Sequence, residues 1–201
     1  MCYVIITGRS LAWLLLSLVA FMFILTGVMT PKWLLGQPQI ISENNVTSFY
    51  VPSVGIYNRC LRTVADLNNC ASFSFYGLAT DSTVYPPAWK AAMFFLSLCK
   101  LRTFAFLLPE QCVIEVGLFG VLGLLLYPWA WGSARVRRLC GDHAEPYIPG
   151  DCAIGWAFFV TATGVGQIFL ASALSKTADK ASNSDKVQFQ IDEGKQLICL
   201  A

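Results

Sequence analysis

Charge is what this sequence has least of. Lys, Arg, Asp and Glu supply 13% of its 201 residues, against the roughly 25% that coats an ordinary soluble domain. Histidine is nearly absent. His143 is the sole one, it reads as a surface loop residue, and it leaves no nucleophile–His–acid set to assemble. No C-x-x-C spacing occurs among the eight cysteines, so no zinc site is expected. Phosphate-cradling G-x-x-x-x-G-K and G-x-G-x-x-G runs are missing as well, since Gly164-Val165-Gly166 sits inside an apolar stretch. Neither sign of charge dominates: 14 basic against 12 acidic side chains leave +2, which points to no nucleic acid. These absences exclude a disordered chain, a nucleic-acid binder and an ordinary soluble enzyme. They offer no catalytic, cofactor-binding or metal-binding residue.

Apolar side chains make up 56% of the chain and its mean hydropathy is +0.57. At about 20 residues per membrane-spanning helix, four spans take roughly 80 residues and leave loops and a tail. The expected fold class is all-α membrane, a four-helix transmembrane bundle with a small extracellular antiparallel β-sheet. Its environment is the lipid bilayer, at the plasma membrane or an endomembrane.

The expected boundaries are a cytoplasmic N-terminus at 1–10, a first span at 11–30 and a first outer loop at 31–87. A shortened second span at 88–108 and a third at 112–131 follow. A second outer loop takes 132–154, a fourth span 155–174 and a cytoplasmic tail 175–201. The first span is longer than a signal-peptide core and lacks an A-x-A cleavage pattern, so it reads as uncleaved. In the third span Gly117, Gly120 and Gly123 form one slowly drifting strip suited to helix packing. Tyr127, Trp129 and Trp131 read as an aromatic belt, with Pro128 ending or kinking the helix. In the fourth span Ala162 and Gly166 are either a close-approach pair or simply the small residues common in membrane helices.

The second span is the difficult one. Its nine Leu and Phe residues contribute roughly −3 to −5 kcal/mol on an insertion scale, while Lys100 and Arg102 near the centre would cost about 5–7 kcal/mol. Only Pro109-Glu110 separates it from the next helix. Charge does not orient the chain either, because seven basic residues fall on each side of a four-span arrangement.

Cysteine placement breaks the tie. Cys60 with Cys70, and Cys140 with Cys152, form two local couples, each inside a hydrophilic connection. Pairing within each loop would tether it by about 3 kcal/mol in the chain-entropy model, in an oxidising compartment. Asn45-Val46-Thr47 is a candidate glycan acceptor on the same side. If both loops share one side, an even number of spans separates them and both termini lie inside. Within the first loop, Ile40-Ile41, Ser48 to Val51 and Val54 to Tyr57 read as strands. Asn44-Asn45, Pro52 and Asn68-Asn69 read as turns.

Trp33, then Gly55-Ile56-Tyr57, then Cys60 and Cys70 resemble the W…G-L-W…C…C loop signature of the claudin-like tetraspan superfamily. Tyr57 stands where claudins usually carry the second Trp. Tyr127-Pro128, Trp131-Gly132 and Tyr147-Ile148-Pro149-Gly150-Asp151-Cys152 with Gly155-Trp156-Ala157-Phe158 are similar to the lipoma HMGIC fusion partner-like (LHFPL) tetraspan family. Both ends, at Met1-Cys2 with Arg9-Ser10 and at Ser184 to Gln188 through Leu200, are similar to its member-two branch. The resemblance implies a tetraspan fold and an auxiliary, scaffold or trafficking role for a channel, receptor or adhesion complex. It departs at Leu98 to Gln111, where family members carry a full second span and a distinct inner loop. A segment is therefore expected to be absent, by alternative splicing or an error in the reconstructed gene.

The remaining polar groups read modestly. Glu115 is an acid inside a span, and either marks a cation path or meets Arg102 or the surface near the helix end. Arg135, Arg137 and Arg138 are either a patch for an acidic partner or a solvated face. The tail is expected to form an amphipathic helix on Val187, Ile191 and Ile198, capped by Ser182 with Asp185. Cys2 and Cys199 are candidate palmitoylation sites. The leading expectation is a non-enzymatic protein associating laterally with another integral membrane protein, or with copies of itself. Rival expectations are a claudin-like junction or adhesion protein, and a small channel or transporter using Lys100, Arg102 and Glu115.

Overall fold

Thr7 and Ser10 start the first helix by reciprocal capping. The Ser10 N–H donates to Thr7 Oγ1 at 3.2 Å and the Thr7 N–H donates to Ser10 Oγ at 2.9 Å, so two donors that a helix start leaves orphaned are satisfied. The computed structural model describes residues 4–43, 46–63, 66–72, 86–104, 113–182, 184–192 and 197–200. Within them a short strand β1 (Val4–Thr7) leads into α1 (Gly8–Met29). α2 (Pro87–Phe104) opens on a proline, whose missing N–H costs nothing in a first turn. α3 (Val113–Trp129) passes into a 3₁₀ turn at Ala130–Gly132 just after Pro128, where the ring disturbs the helical ladder. A short α4 (Ala134–Cys140), the long α5 (Trp156–Ser182) and α6 (Asp185–Asp192) complete the helices.

Three described segments are long and apolar enough to cross a membrane: Gly8–Met29, Ile114–Gly132 and Trp156–Ser175. The apolar part of α2 is shorter, Pro87–Cys99, because Lys100 and Arg102 follow it. Both cations lie on α2 beyond that apolar part.

α1 packs along α5, α2 along α3, and α3 along α5. Small residues let these axes approach. A Cβ built on Gly27 would strike Thr161 Oγ1 and come within 2.9 Å of the Ala157 carbonyl, and one on Gly164 would meet Ile24 and the Ala20 carbonyl. The glycine strip of α3 is filled along its length: Leu96 sits over Gly123, Val165 and Cys99 over Gly120, and Phe169 over Gly117. Gly166 of the Ala162–Gly166 pair, in contrast, plays no part in this packing. Gly166 is exposed with nothing within 4 Å of a Cβ placed on it, because the seam with α1 runs through Ala157, Thr161 and Gly164 instead.

The strands between α1 and α5 gather at one end of the helices, in sheets apart from β1. β2 (Leu34–Leu35), β5 (Ser53–Val54), β6 (Asn58–Thr63), β7 (Asp66–Ser72) and β8 (Ala153–Ile154) form one antiparallel sheet in the order β7-β6-β5-β2-β8. Leu34 pairs with both Val54 and Ile154, so the two cysteine-bearing connections meet in a single sheet. β3 (Gln39–Glu43) and β4 (Val46–Tyr50) make a separate hairpin.

Two sequence expectations fail in this part of the chain. Asn68-Asn69 is not a turn but lies within β7, since Cys60 sits directly opposite Cys70 and fixes a register in which Leu61 faces Asn69. The same pairing continues to Thr63 opposite Asp66. The strand expected at Val54 to Tyr57 ends at Val54, and Gly55 to Tyr57 make the link to β6. The tail departs as well. α6 starts at Asp185, with the Ser184 carbonyl accepting from the Val187 and Gln188 N–H groups at 2.9 and 3.1 Å, while Ser182 ends α5. Ile198 belongs to no helix. It lies in β9 (Leu197–Leu200), which pairs in parallel with β1, Ile5 opposite Ile198. The β-branched run at Val4 to Thr7 supplies a strand edge for it.

Candidate functional site

Where the helices meet the sheet, Tyr127 sits at the centre of an aromatic cap. Its ring lies 4.8 Å from that of Trp33 and stacks on Trp89 at 5.2 Å, with Trp131 at 6.3 Å and Phe158 at 6.5 Å. Three polar side-chain atoms of this cluster reach main-chain carbonyls, whereas the buried Trp131 Nε1 has no hydrogen-bond partner among the described residues. Trp33 Nε1 donates to Gly27 at 2.7 Å, Trp89 Nε1 to Tyr127 at 3.1 Å, and the Tyr127 hydroxyl to Val54 at 3.2 Å. Aromatic pairs of this geometry add about 0.5–1.5 kcal/mol each beyond their burial. The expected belt is corrected accordingly. Tyr127 and Trp131, one helical turn apart, point inward and are buried, and Trp129, on the opposite side, is 59% exposed.

The residues of the loop signature lock the sheet to this cap. Trp33 and Ile56 are fully buried. A Cβ on Gly55 would fall 2.7 Å from the Thr30 carbonyl and 2.8 Å from Pro31 Cα, so only glycine lets the link after β5 lie on the end of α1. Tyr57 hydrogen-bonds Ser97 of α2, and Asn58 Nδ2 donates to the Met29 carbonyl at 2.8 Å. Gly155 does the corresponding work for the second connection. Its N–H donates to the Trp33 carbonyl at 2.8 Å, and a Cβ there would collide with the Lys32 carbonyl.

Disulfides join Cys60 to Cys70 and Cys140 to Cys152, and Cys99 is buried and belongs to neither. Asn45 and Cys2 lie outside the described residues, and the backbone places Cys199 in β9. Glu115 is exposed in the first turn of α3, a position that complements the helix dipole. Among the described residues, no group of three or more His, Cys, Asp or Glu side chains could hold a metal.

The basic cluster of the second connection divides in two, which linear order could not reveal. Arg137 turns away and its Nε donates to the Ala144 carbonyl at 3.1 Å. Arg135 and Arg138, three residues apart on α4, join Arg59 around a recess of about 260 Å³. Buried Leu34, Val54, Trp89 and Val136 form its floor. Arg59 comes from the first connection, directly opposite Val54 across the β5–β6 pair. The cysteine couple did not signal its inclusion, because Cys60 with Cys70 sets the β6–β7 register and not the β5–β6 one.

A second surface feature is the β3–β4 hairpin. Ile40 and Phe49 are directly opposed on it and are 66% and 75% exposed. β2 and β5 on either side of the hairpin pair with each other, so it projects beyond the main sheet.

The family model described as Lipoma HMGIC fusion partner-like protein matches residues 9–180. The LHFPL tetraspan subfamily member 2 protein of Homo sapiens is 34% identical over 230 aligned positions, covering 100% of both chains. The member 2a protein of Danio rerio is 33% identical over 228 positions, again covering 100% of both. The member 5 protein of Gallus gallus is 32% identical over 80 positions, 38% of this chain and 36% of the relative. An alignment of 230 positions against 201 residues leaves at least 29 positions with no counterpart here. With its apolar helices, its disulfide-bonded connections and this match over most of its length, the chain belongs to the LHFPL tetraspan family of integral multi-pass membrane proteins.

Proposed function

We propose that this protein is a non-enzymatic subunit that works by lateral association with another integral membrane protein, as an auxiliary, scaffold or trafficking partner. It makes four crossings as a claudin-like bundle, with both termini in the cytosol and the sheet outside or in the lumen. α2 and α3 then form the inner hairpin, and the segment missing relative to the family falls between them. At 18 residues α2 is about 27 Å long, close to the roughly 30 Å of a bilayer's hydrocarbon core.

The observation that carries this reading is the projecting hairpin. Ile40 and Phe49, opposed near the base of the hairpin, are 66% and 75% exposed, and exposed apolar side chains of this kind anchor protein interfaces. A photo-crosslinking amino acid at Phe49 should capture one integral membrane protein reproducibly. Phe49→Ser should lower recovery of that protein about tenfold while both disulfides remain intact. Recovery of this chain alone from a gentle detergent that preserves other membrane complexes overturns the proposal. Recovery of only a second copy replaces it with self-association.

A further inference from the structure

The geometry at the sheet end of α3 points to a membrane anchor in the second connection. Tyr147 and Ile148 seat beside Trp129 in the interfacial layer of the bilayer, where lipid headgroups meet acyl chains. This goes beyond the partner reading and stands independently of it. Among the described residues, Tyr147 is the one non-glycine with a positive φ, at +68°. It takes the third position of a turn in which Pro146 is second and the Ile148 N–H donates to the Glu145 carbonyl at 2.9 Å. Glycine is the usual residue there, because a side chain makes the left-handed backbone costly. The Tyr147 N–H donates to the Pro128 carbonyl at 3.0 Å, a bond that glycine would make equally well. What tyrosine adds is its ring, which meets Trp129 edge-on at 6.2 Å and is otherwise half exposed. One such ring pair is worth about as much as the left-handed backbone costs. Contacts within the chain therefore leave no surplus to account for the exposed half.

The lipid-facing surface of the helices runs directly into this patch. Leu118, Leu122, Leu125 and Trp129 recur every three or four residues and are all exposed, so they lie on one face of α3. On α5 the exposed Phe159 and Leu170 share the face that begins at exposed Trp156. In an integral membrane protein these stripes meet acyl chains, and each ends on a tryptophan at the sheet end. Tryptophan and tyrosine settle at the level of the headgroups, where the apolar body of the ring is covered and its polar edge stays wet. Tyr147 packs on Trp129, and the exposed Ile148 follows it in the same turn, so both fall at that level. The Cys140–Cys152 disulfide closes the connection between α4 and β8. An anchor within it fixes the height of the sheet above the bilayer.

The full chain is reconstituted in phosphatidylcholine vesicles with a benzophenone amino acid in place of Ile148, irradiated, and digested for mass spectrometry. Phosphatidylcholine adducts at position 148 are expected, at least about tenfold above those from the same probe in place of Asp142, an exposed carboxylate of the same connection. The probe in place of Leu125 reports the lipid-facing stripe and should give adducts throughout. Tyr147→Asn suits the left-handed backbone but removes the ring, and should lower the yield at 148 at least about threefold. Tyr147→Trp restores a ring of the same preference and should retain the yield. Absent adducts at 148, an equal yield at Asp142, or a crosslink to a second copy in place of lipid overturns the inference. So does an undiminished yield at 148 in Tyr147→Asn, or an equal loss at Leu125 in that variant. Non-reducing gels showing both disulfides establish that each variant is folded.

Discussion

The Tyr127 hydroxyl donates to the Val54 carbonyl at 3.2 Å across 73 positions of sequence, and so ties the end of α3 to an inner strand of the sheet. Tyr127→Phe keeps the ring stacks and removes this bond, leaving a buried acceptor unpaired. A loss of about 1 kcal/mol is expected, read as a lowered unfolding midpoint in detergent. Trp33→Ala takes away an indole packed on Tyr127 and Phe158 together with its bond to Gly27, and should cost about 3–5 kcal/mol. A smaller effect for Trp33→Ala than for Tyr127→Phe would mean that the cap is not the joint between sheet and helices.

Two glycines should respond to substitution in opposite ways. Gly27→Leu drives a side chain into Thr161 and the Ala157 carbonyl and should destabilise by about 1–3 kcal/mol through overpacking. Gly166→Ala meets nothing within 4 Å and should be neutral, or stabilising by up to about 1 kcal/mol through helix propensity. Thermal unfolding of the two variants side by side decides the matter.

The covalent ties make a third test. Alkylation of the denatured but unreduced protein should label Cys99 and leave Cys60, Cys70, Cys140 and Cys152 unmodified. Replacing Cys140 and Cys152 together with serine should cost about 2–5 kcal/mol, because the residue after Cys152 enters β8 beside β2. Four free thiols in the mature protein would refute a sheet facing an oxidising compartment.

Sidedness makes a fourth. Tags placed after Glu110 and at the C-terminus should both be cytosolic by protease protection, as two crossings on either side of the α2–α3 connection require. Tags on opposite sides would mean that α2 does not cross, leaving three spans and an odd number between the cysteine-bearing connections.

Composition and short-range pattern were enough to define the membrane class, the apolar helices and the family. A bilayer demands long apolar runs whatever the rest of the chain does, and Trp33, Gly55 and the cysteine couples can be seen as letters at fixed spacing. Cys60 opposite Cys70 even encoded the register of β6 and β7, though the turn-forming look of Asn68-Asn69 obscured it. Tertiary contact alone decided which side of each element meets what. It turned Tyr127 and Trp131 inward, left Gly166 bare while Gly164 packs on α1, and sent Leu197–Leu200 back to β1. It also parted Arg137 from Arg135 and Arg138 and brought Arg59 to them. The physical reason is that periodicity specifies a face but not its occupant, since any apolar or small surface satisfies it equally well. The occupant is set by which elements the sheet and the two disulfides hold at the same end of the bundle.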